Sequence, residues 1–92
     1  MKKFEASRLT QGNKLFPTQV ILTNKSLVIK KPGIFKTEET TIPYYKITFI
    51  KVNIPLIGFS SVSIGTENQP IQIDGFTKSQ VKEIQSFVSE MI

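Results

Sequence analysis

Apolar and polar residues alternate along most of the chain, in short segments separated by turn-forming residues. Alternation with a period of two is typical of β-strands that bury one face. The pattern predicts seven short antiparallel strands over residues 4–9, 18–23, 26–30, 36–42, 45–52, 61–66 and 69–74. Asn24-Lys25 joins the second and third strands in a hairpin, since asparagine tolerates the left-handed backbone that a two-residue turn demands. Lys25 stands where glycine would be easier, so a looser turn is the alternative.

The period of the pattern changes after Gly75. From residue 77 onward, apolar residues recur at helical spacing, which predicts an amphipathic helix over residues 77–92. Thr77 and Gln80 have the spacing of a capping box, and Phe76 is placed to pack on Val81 as a hydrophobic staple. The predicted apolar face of the helix contains Val81, Ile84, Val88 and Met91, with Phe87 beside them.

A chain of 92 residues, of which 39% are hydrophobic, suits one domain over residues 1–92 with one modest core. The helix is placed to cover the open apolar side of the strands. In the run over residues 45–52 we expect Tyr45, Ile47 and Phe49 to share one face. The predicted core consists of Val20, Leu22, Leu27, Ile29, Ile42, Ile47, Phe49, Val62, Ile64, Ile71, Ile73, Val81, Ile84 and Val88.

The chain contains no cysteine and no histidine. This excludes disulfides, the usual zinc ligands and every Cys-His or Ser-His nucleophile. Glu38 and Glu39 are adjacent and would point to opposite faces of a strand, which is poor geometry for a shared acid-base site. We therefore predict a protein that is not an enzyme and that holds neither a metal nor a cofactor.

Several segments together resemble the bacterial pleckstrin-homology-like (PH-like) domains, over roughly residues 18–90. They are ILTNKSLVIKK (21–31), TIPYYKITFIKV (41–52), SVSIGT (61–66), IQIDGF (71–76) and the closing helix. The resemblance implies a mainly β fold, a split barrel of seven antiparallel strands in two nearly orthogonal sheets with one C-terminal helix. It implies a binding scaffold rather than a reaction. Ser26 departs from the family, which would carry a basic residue after the hairpin turn.

Positive charge is concentrated in the first part of the chain. Residues 1–37 carry eight Lys or Arg and one acid, whereas residues 38–92 carry four Lys and six acids. In an up-and-down sheet the loops after the first and third strands emerge at the same end, which would bring four lysines together: Lys14, Lys30, Lys31 and Lys36. Such a rim is either a solubilising strand end or a site for anionic headgroups, which the resemblance would place here.

Two apolar segments interrupt the polar loops. Ile34 and Phe35 lie between Lys31 and Lys36, and the connection after the fifth strand contains Ile54, Leu56, Ile57 and Phe59. Both segments either fold back onto the core or contact a partner, and the Ile34-Phe35 tip between lysines could also insert into a bilayer. If the second segment is exposed, it predicts self-association.

The leading hypothesis is a non-catalytic module for protein-protein binding or homo-oligomerisation through strand edges and apolar loops. The alternative is peripheral binding to an anionic membrane or a phosphorylated ligand through the lysine rim. Nucleic-acid binding ranks below both, although a pI of 9.6 and the aromatic residues Tyr44, Tyr45 and Phe49 would favour it. No apolar segment reaches the length of a membrane span, so we expect a cytoplasmic protein, with attachment to the inner membrane face as the alternative.

Overall fold

The computed structural model describes residues 2–5, 17–33 and 35–92. In these residues the chain forms seven strands, one short 3₁₀ helix at Tyr44–Lys46 and one α-helix. The strands are β1 (Lys2–Glu5), β2 (Gln19–Leu22), β3 (Ser26–Pro32), β4 (Thr37–Pro43), β5 (Phe49–Asn53), β6 (Ser60–Gly65) and β7 (Ile71–Phe76). The helix α1 spans Lys78–Met91.

The strands form two antiparallel sheets in which sequence neighbours are also spatial neighbours. The first sheet has the order β1-β2-β3-β4 and the second has the order β5-β6-β7. The predicted mainly β fold, with two sheets and a C-terminal helix, is confirmed. The predicted part of the first strand beyond Glu5 lies outside the described residues.

A threonine side chain holds the β2-β3 turn. The Thr23 amide donates to the carbonyl oxygen of Ser26 at 3.0 Å, and Thr23 Oγ1 accepts from the amides of Lys25 at 3.2 Å and Ser26 at 3.0 Å. No non-glycine residue in the described ranges has a positive φ. The hairpin is confirmed. Asn24 does not adopt the left-handed conformation of an ideal two-residue turn, because the Thr23 hydroxyl organises a turn that does not need it.

The predicted strand over residues 45–52 is shorter in the structure, because the 3₁₀ helix occupies its first residues. Tyr44 is buried, and its hydroxyl donates to the carbonyl oxygen of Thr23 at 2.7 Å. The Tyr44 ring also lies against Phe87 of α1, with 6.4 Å between ring centroids. Tyr44 thus joins the β2-β3 turn to the helix, a role that the sequence pattern did not predict.

Tyr45, Ile47 and Phe49 were expected to share one face, with Ile47 and Phe49 in the core; the shared face is wrong, and so is the burial of Phe49. Tyr45 is 84% exposed and Phe49 is 44% exposed, whereas Ile47 is buried. The Phe49 ring covers the backbone of Gly65 on β6, where a Cβ would stand 2.0 Å from the nearest ring atom. Phe49 therefore shields a glycine on the outer face of the second sheet and does not enter the core.

One core lies between the sheets and the helix. Most of its predicted members are buried, while Ile71 is only partly buried. Met91, predicted on the apolar face of the helix, is exposed. Three further residues, Phe4, Tyr44 and Phe76, are buried there as well. The buried hydrophobic residues are Phe4, Val20, Leu22, Leu27, Ile29, Ile42, Tyr44, Ile47, Val62, Ile64, Ile73, Phe76, Val81, Ile84 and Val88.

The predicted capping box of α1 is present. Thr77 Oγ1 accepts from the amide of Gln80 at 3.2 Å, and the Gln80 side chain accepts from the Thr77 amide at 2.9 Å. Gln80 also donates to the carbonyl oxygen of Glu5, while Lys2 forms an ion pair with Glu83. These contacts place the helix beside the outer edge of β1.

Within the described ranges, no helix has the length and apolar character needed to cross a membrane.

Candidate interaction surfaces

The lysine rim lies at one end of the first sheet. Lys30 and Lys31 are near the end of β3, and Lys36 immediately precedes β4. The order β1-β2-β3-β4 sends the β1-β2 and β3-β4 connections to the same end of the sheet, as predicted. Lys14, the fourth predicted member, lies outside the described residues.

Glutamates of β4 neutralise much of this rim. Lys30 Nζ lies 3.8 Å from Glu39 Oε2, and Lys36 Nζ lies 3.9 Å from Glu38 Oε1. Lys31 occupies the register position opposite Glu38. Exposed ion pairs such as these contribute only about 0–1 kcal/mol to stability. They do lower the net positive charge that the rim can present to an anionic surface.

The β3-β4 connection exposes one aromatic side chain. Phe35 is 98% exposed and borders a shallow depression of about 450 Å³ together with Lys31, Gly33 and Lys36. A Cβ on Gly33 would stand 2.7 Å from the carbonyl oxygen of Lys36, so this tight connection requires glycine. Ile34, the other predicted member of this pair, lies outside the described residues.

The β5-β6 connection, residues 54–59, is here called the apolar loop. Ile54 is partly buried and packs against the core, which anchors the start of the loop. Leu56 is fully exposed and Ile57 is 91% exposed at the tip, and Phe59 is 41% exposed near its end. The predicted interaction residues of this segment therefore divide into one anchor and three residues that face solvent.

The exposed tip of the apolar loop is followed by a glycine in a left-handed conformation. Gly58 has a φ of 101°, a conformation that residues with side chains rarely adopt, and it turns the chain back toward β6. Fully burying one Leu or Ile side chain is worth about 1.5–3 kcal/mol. Leu56 and Ile57 do not obtain this stabilisation within the monomer, so a partner that covers both would provide it.

A groove that the sequence did not predict runs beside the free edge of β4. It has a volume of about 510 Å³, with Ile42 and Ile71 as its apolar residues and Lys46 and Glu67 among its charged ones. The other lining residues are Thr40, Thr41, Pro43, Thr66, Asn68 and Gln69. Residues 40–46 and 66–71 are distant in sequence, and only the tertiary fold brings them together.

Of the three aromatic residues considered for base stacking, the structure removes Tyr44. Tyr44 is buried and commits its hydroxyl to Thr23, so it cannot stack on a base. Tyr45 and Phe49 are exposed on different elements, the 3₁₀ helix and β5. The part of the chain that the structure describes contains no cluster of acidic residues suited to hold a metal ion.

The two antiparallel sheets and the C-terminal helix define the class of PH-like domains. A comparison with protein families agrees: the model described as bacterial PH domain matches residues 3–90. The chain therefore belongs to the bacterial PH domain family, as its sequence motifs suggested. Neither the curated proteins nor the solved structures that were searched gave a match. PH-like domains generally mediate binding interactions with proteins or lipids and are typically non-catalytic.

Proposed function

We propose that this domain is a non-catalytic protein-interaction module that contacts its partner through the apolar loop. The strongest support is the full exposure of Leu56 and the 91% exposure of Ile57 on a connection that Ile54 anchors to the core. Adjacent exposed apolar residues are typical of protein contacts, where their burial lowers the free energy of the complex. The same chemistry allows a second copy of this chain as the partner.

The distribution of charge favours a protein partner over an anionic membrane. Residues 53–60 contain no basic residue that could pair with lipid headgroups. The lysines at the other connection have Glu38 and Glu39 beside them. Attraction to an anionic membrane grows by about 1 kcal/mol for each basic residue near the surface. A loop without basic residues and lysines with glutamates beside them therefore provide little attraction. We propose a cytoplasmic location, as expected from the sequence.

Sedimentation velocity from micromolar to millimolar protein tests the proposal. We expect the wild type to self-associate as its concentration rises and the Leu56→Ser/Ile57→Ser variant to stay monomeric. Because the contact is apolar, added salt should leave the association of the wild type unchanged. A wild type that is monomeric throughout would exclude a second copy as the partner, and a variant that associates as well as the wild type would contradict the role of the loop in self-association.

Two controls separate this loop from the other candidate surface. Phe35→Ser removes an equally exposed apolar side chain from the β3-β4 connection and should leave self-association intact. Co-sedimentation with anionic and neutral vesicles across a salt series tests the lysine rim. Salt-sensitive binding to anionic vesicles that Lys30→Glu/Lys31→Glu abolishes would favour the membrane alternative instead.

A further inference from the structure

Ser61 combines deep burial with an unused hydroxyl. It lies on β6, the central strand of the second sheet, and its neighbour Val62 points into the core, so Ser61 faces the outer side of the sheet. Asn53 of β5 and Asp74 of β7 stand opposite Ser61, which is only 9% exposed. Its hydroxyl has no hydrogen-bond partner within the described residues. Because no fully enclosed side-chain polar atom of these residues lacks a partner, the Ser61 hydroxyl opens to solvent.

A polar depression on this outer face contains Ser61 in its floor. The short side chains of the central strand lie between longer side chains of the two flanking strands, which makes the surface concave. The depression has a volume of about 270 Å³, below the roughly 300–1,000 Å³ of pockets for drug-sized ligands, so it suits a small chemical group. It is here called the serine depression, and its lining residues are Lys51, Val52, Asn53, Ser61, Ser63 and Gln72.

The serine depression carries an unpaired positive charge. Lys51 is the charged residue of its lining. Lys30 and Lys36 are paired with glutamates, whereas Lys51 forms no ion pair with an acid in the part of the chain that the structure describes. Asp74 lies outside the lining, and its carboxylate accepts from the side-chain amide of Gln72 at 3.0 Å. The charge of Lys51 is therefore available to a ligand.

The other polar groups of the depression supply hydrogen-bond donors. The side chains of Asn53, Ser61 and Ser63 make no hydrogen bond within the described ranges, so each can donate to a ligand. All three line the same depression as Lys51. Hydrogen bonds to a charged acceptor are stronger than those between neutral groups. Several free donors around one lysine therefore fit an oxyanion.

The balance of charge selects a carboxylate over a phosphate. One lysine matches the single negative charge of a carboxylate, whereas a phosphate monoester carries a charge of about −1.5 to −2 at neutral pH. Asp74 stands opposite Ser61 and adds a repulsion that acts more strongly on a dianion.

The serine depression adjoins the apolar loop. Asn53 and Ser61 form the last pair of the β5-β6 ladder before the loop begins. A partner that covers Leu56 and Ile57 therefore lies beside the depression.

We propose that the serine depression binds an aspartate or glutamate side chain of the protein partner that covers the apolar loop. Lys51 supplies the charge, and the serine hydroxyls and the Asn53 amide donate to the carboxylate oxygens. The source of the carboxylate rests on the proposed function, whereas the binding site itself does not. A free small carboxylate is the other source of the same chemistry.

Acetate is the probe for the site, and acetamide is its neutral control of similar shape. NMR titration at constant ionic strength should shift the amide signals of Asn53, Ser61 and Ser63 with a Kd for acetate on the order of 10 mM. Acetamide should cause no saturable shift, and inorganic phosphate should bind more weakly than acetate. The proposal would be overturned by unsaturated shifts at about ten times this acetate concentration, by equal shifts with acetamide, or by tighter binding of phosphate.

Variants of the domain locate the contact. Lys51→Gln and Ser61→Ala should each weaken acetate binding by about tenfold, since each removes a donor to the charged group. Lys82→Gln makes the same charge change on the exposed face of the helix and should have no effect. Asp74→Asn removes a like charge and should strengthen acetate binding by on the order of threefold. Wild-type affinity in Lys51→Gln, or weaker binding in Asp74→Asn, would contradict a carboxylate site here.

Photo-crosslinking through benzoylphenylalanine in place of Ile57 distinguishes the two sources of the carboxylate. In cells, Lys51→Gln should reduce protein adducts by about tenfold, and Lys82→Gln should leave them unchanged. Adducts that persist in Lys51→Gln would overturn the partner protein as the source. Leu56→Ser/Ile57→Ser should bind acetate as the wild type does. A failure of the apolar-loop proposal would therefore abolish the adducts without changing acetate binding, and so remains distinguishable from a failure of the site.

Discussion

Replacing Phe76 with alanine is expected to lower the free energy of unfolding by about 3–5 kcal/mol. Phe76 is fully buried and connects β7 to the capped start of α1. Val81, its expected partner in a hydrophobic staple, is buried in the same core. Its removal would leave a cavity where the helix packs on the sheets. This is a large fraction of the stability of a domain of this size.

Phe49→Ala is the matched control, because it removes the same side chain from a position that is 44% exposed. Its expected cost is about 1 kcal/mol, since only part of the ring leaves contact with protein. Urea unfolding of both variants measures the difference, provided that the denaturant slope stays constant. Equal losses of unfolding free energy for Phe76→Ala and Phe49→Ala would contradict the role of Phe76 in packing the helix on the sheets.

Tyr44→Ala is expected to lower the free energy of unfolding by about 3 kcal/mol or more. The variant loses a buried ring that contacts Phe87 and a hydroxyl that donates to the carbonyl oxygen of Thr23. Tyr44→Phe isolates the hydroxyl and should cost about 1–3 kcal/mol, because the Thr23 carbonyl loses its partner. The neighbouring Tyr45→Ala should change stability by less than about 0.5 kcal/mol, since Tyr45 is exposed.

Alkaline pH provides an independent test of the burial of Tyr44. Burial raises the pKa of its hydroxyl above the ordinary value of 10.0. The folded protein therefore holds this proton more tightly than the unfolded chain does. This contribution to stability is complete below pH 10.0 and is lost as the pH rises through the raised pKa. The difference in the free energy of unfolding between the wild type and Tyr44→Phe should shrink over that pH range. A difference that stays constant with pH would contradict the raised pKa.

The alternation of apolar residues was sufficient to predict the strands, whereas their division into two sheets came from the resemblance to PH-like domains. In β2, β3 and β6 the inward residues follow a strict period of two, and the structure buries them. The pattern failed between Ile42 and Phe49, where the 3₁₀ helix changes the phase of the chain. Ile47 points into the core, but in β5 the inward positions are Ile50 and every second residue after it. Phe49, next to Ile50, therefore points outward. Periodicity could not reveal which of two adjacent tyrosines enters the core.

The candidate surfaces were predictable to different degrees. The apolar loop could be identified from sequence because Pro55 and Gly58 bound a short run of apolar residues. Its exposure could not, since a run of this kind packs inward equally well in other folds. The β4 groove had no sequence signature, because its walls come from residues 40–46 and 66–71. The pairing of Glu39 with Lys30 depends on the β3-β4 register, which sequence alone leaves open.

Photo-crosslinking through the tip of the apolar loop tests the central claim most directly. Benzoylphenylalanine would replace Ile57 in one variant and Glu90, on the exposed face of the helix, in a control, and both would be irradiated in cells. We predict protein adducts from position 57, including adducts with a second copy, and none above background from position 90. Adduct formation at position 57 should disappear when Leu56 is changed to serine. Equal adducts from both positions, or none from position 57 in a folded variant, would contradict the proposal that this loop is the binding surface.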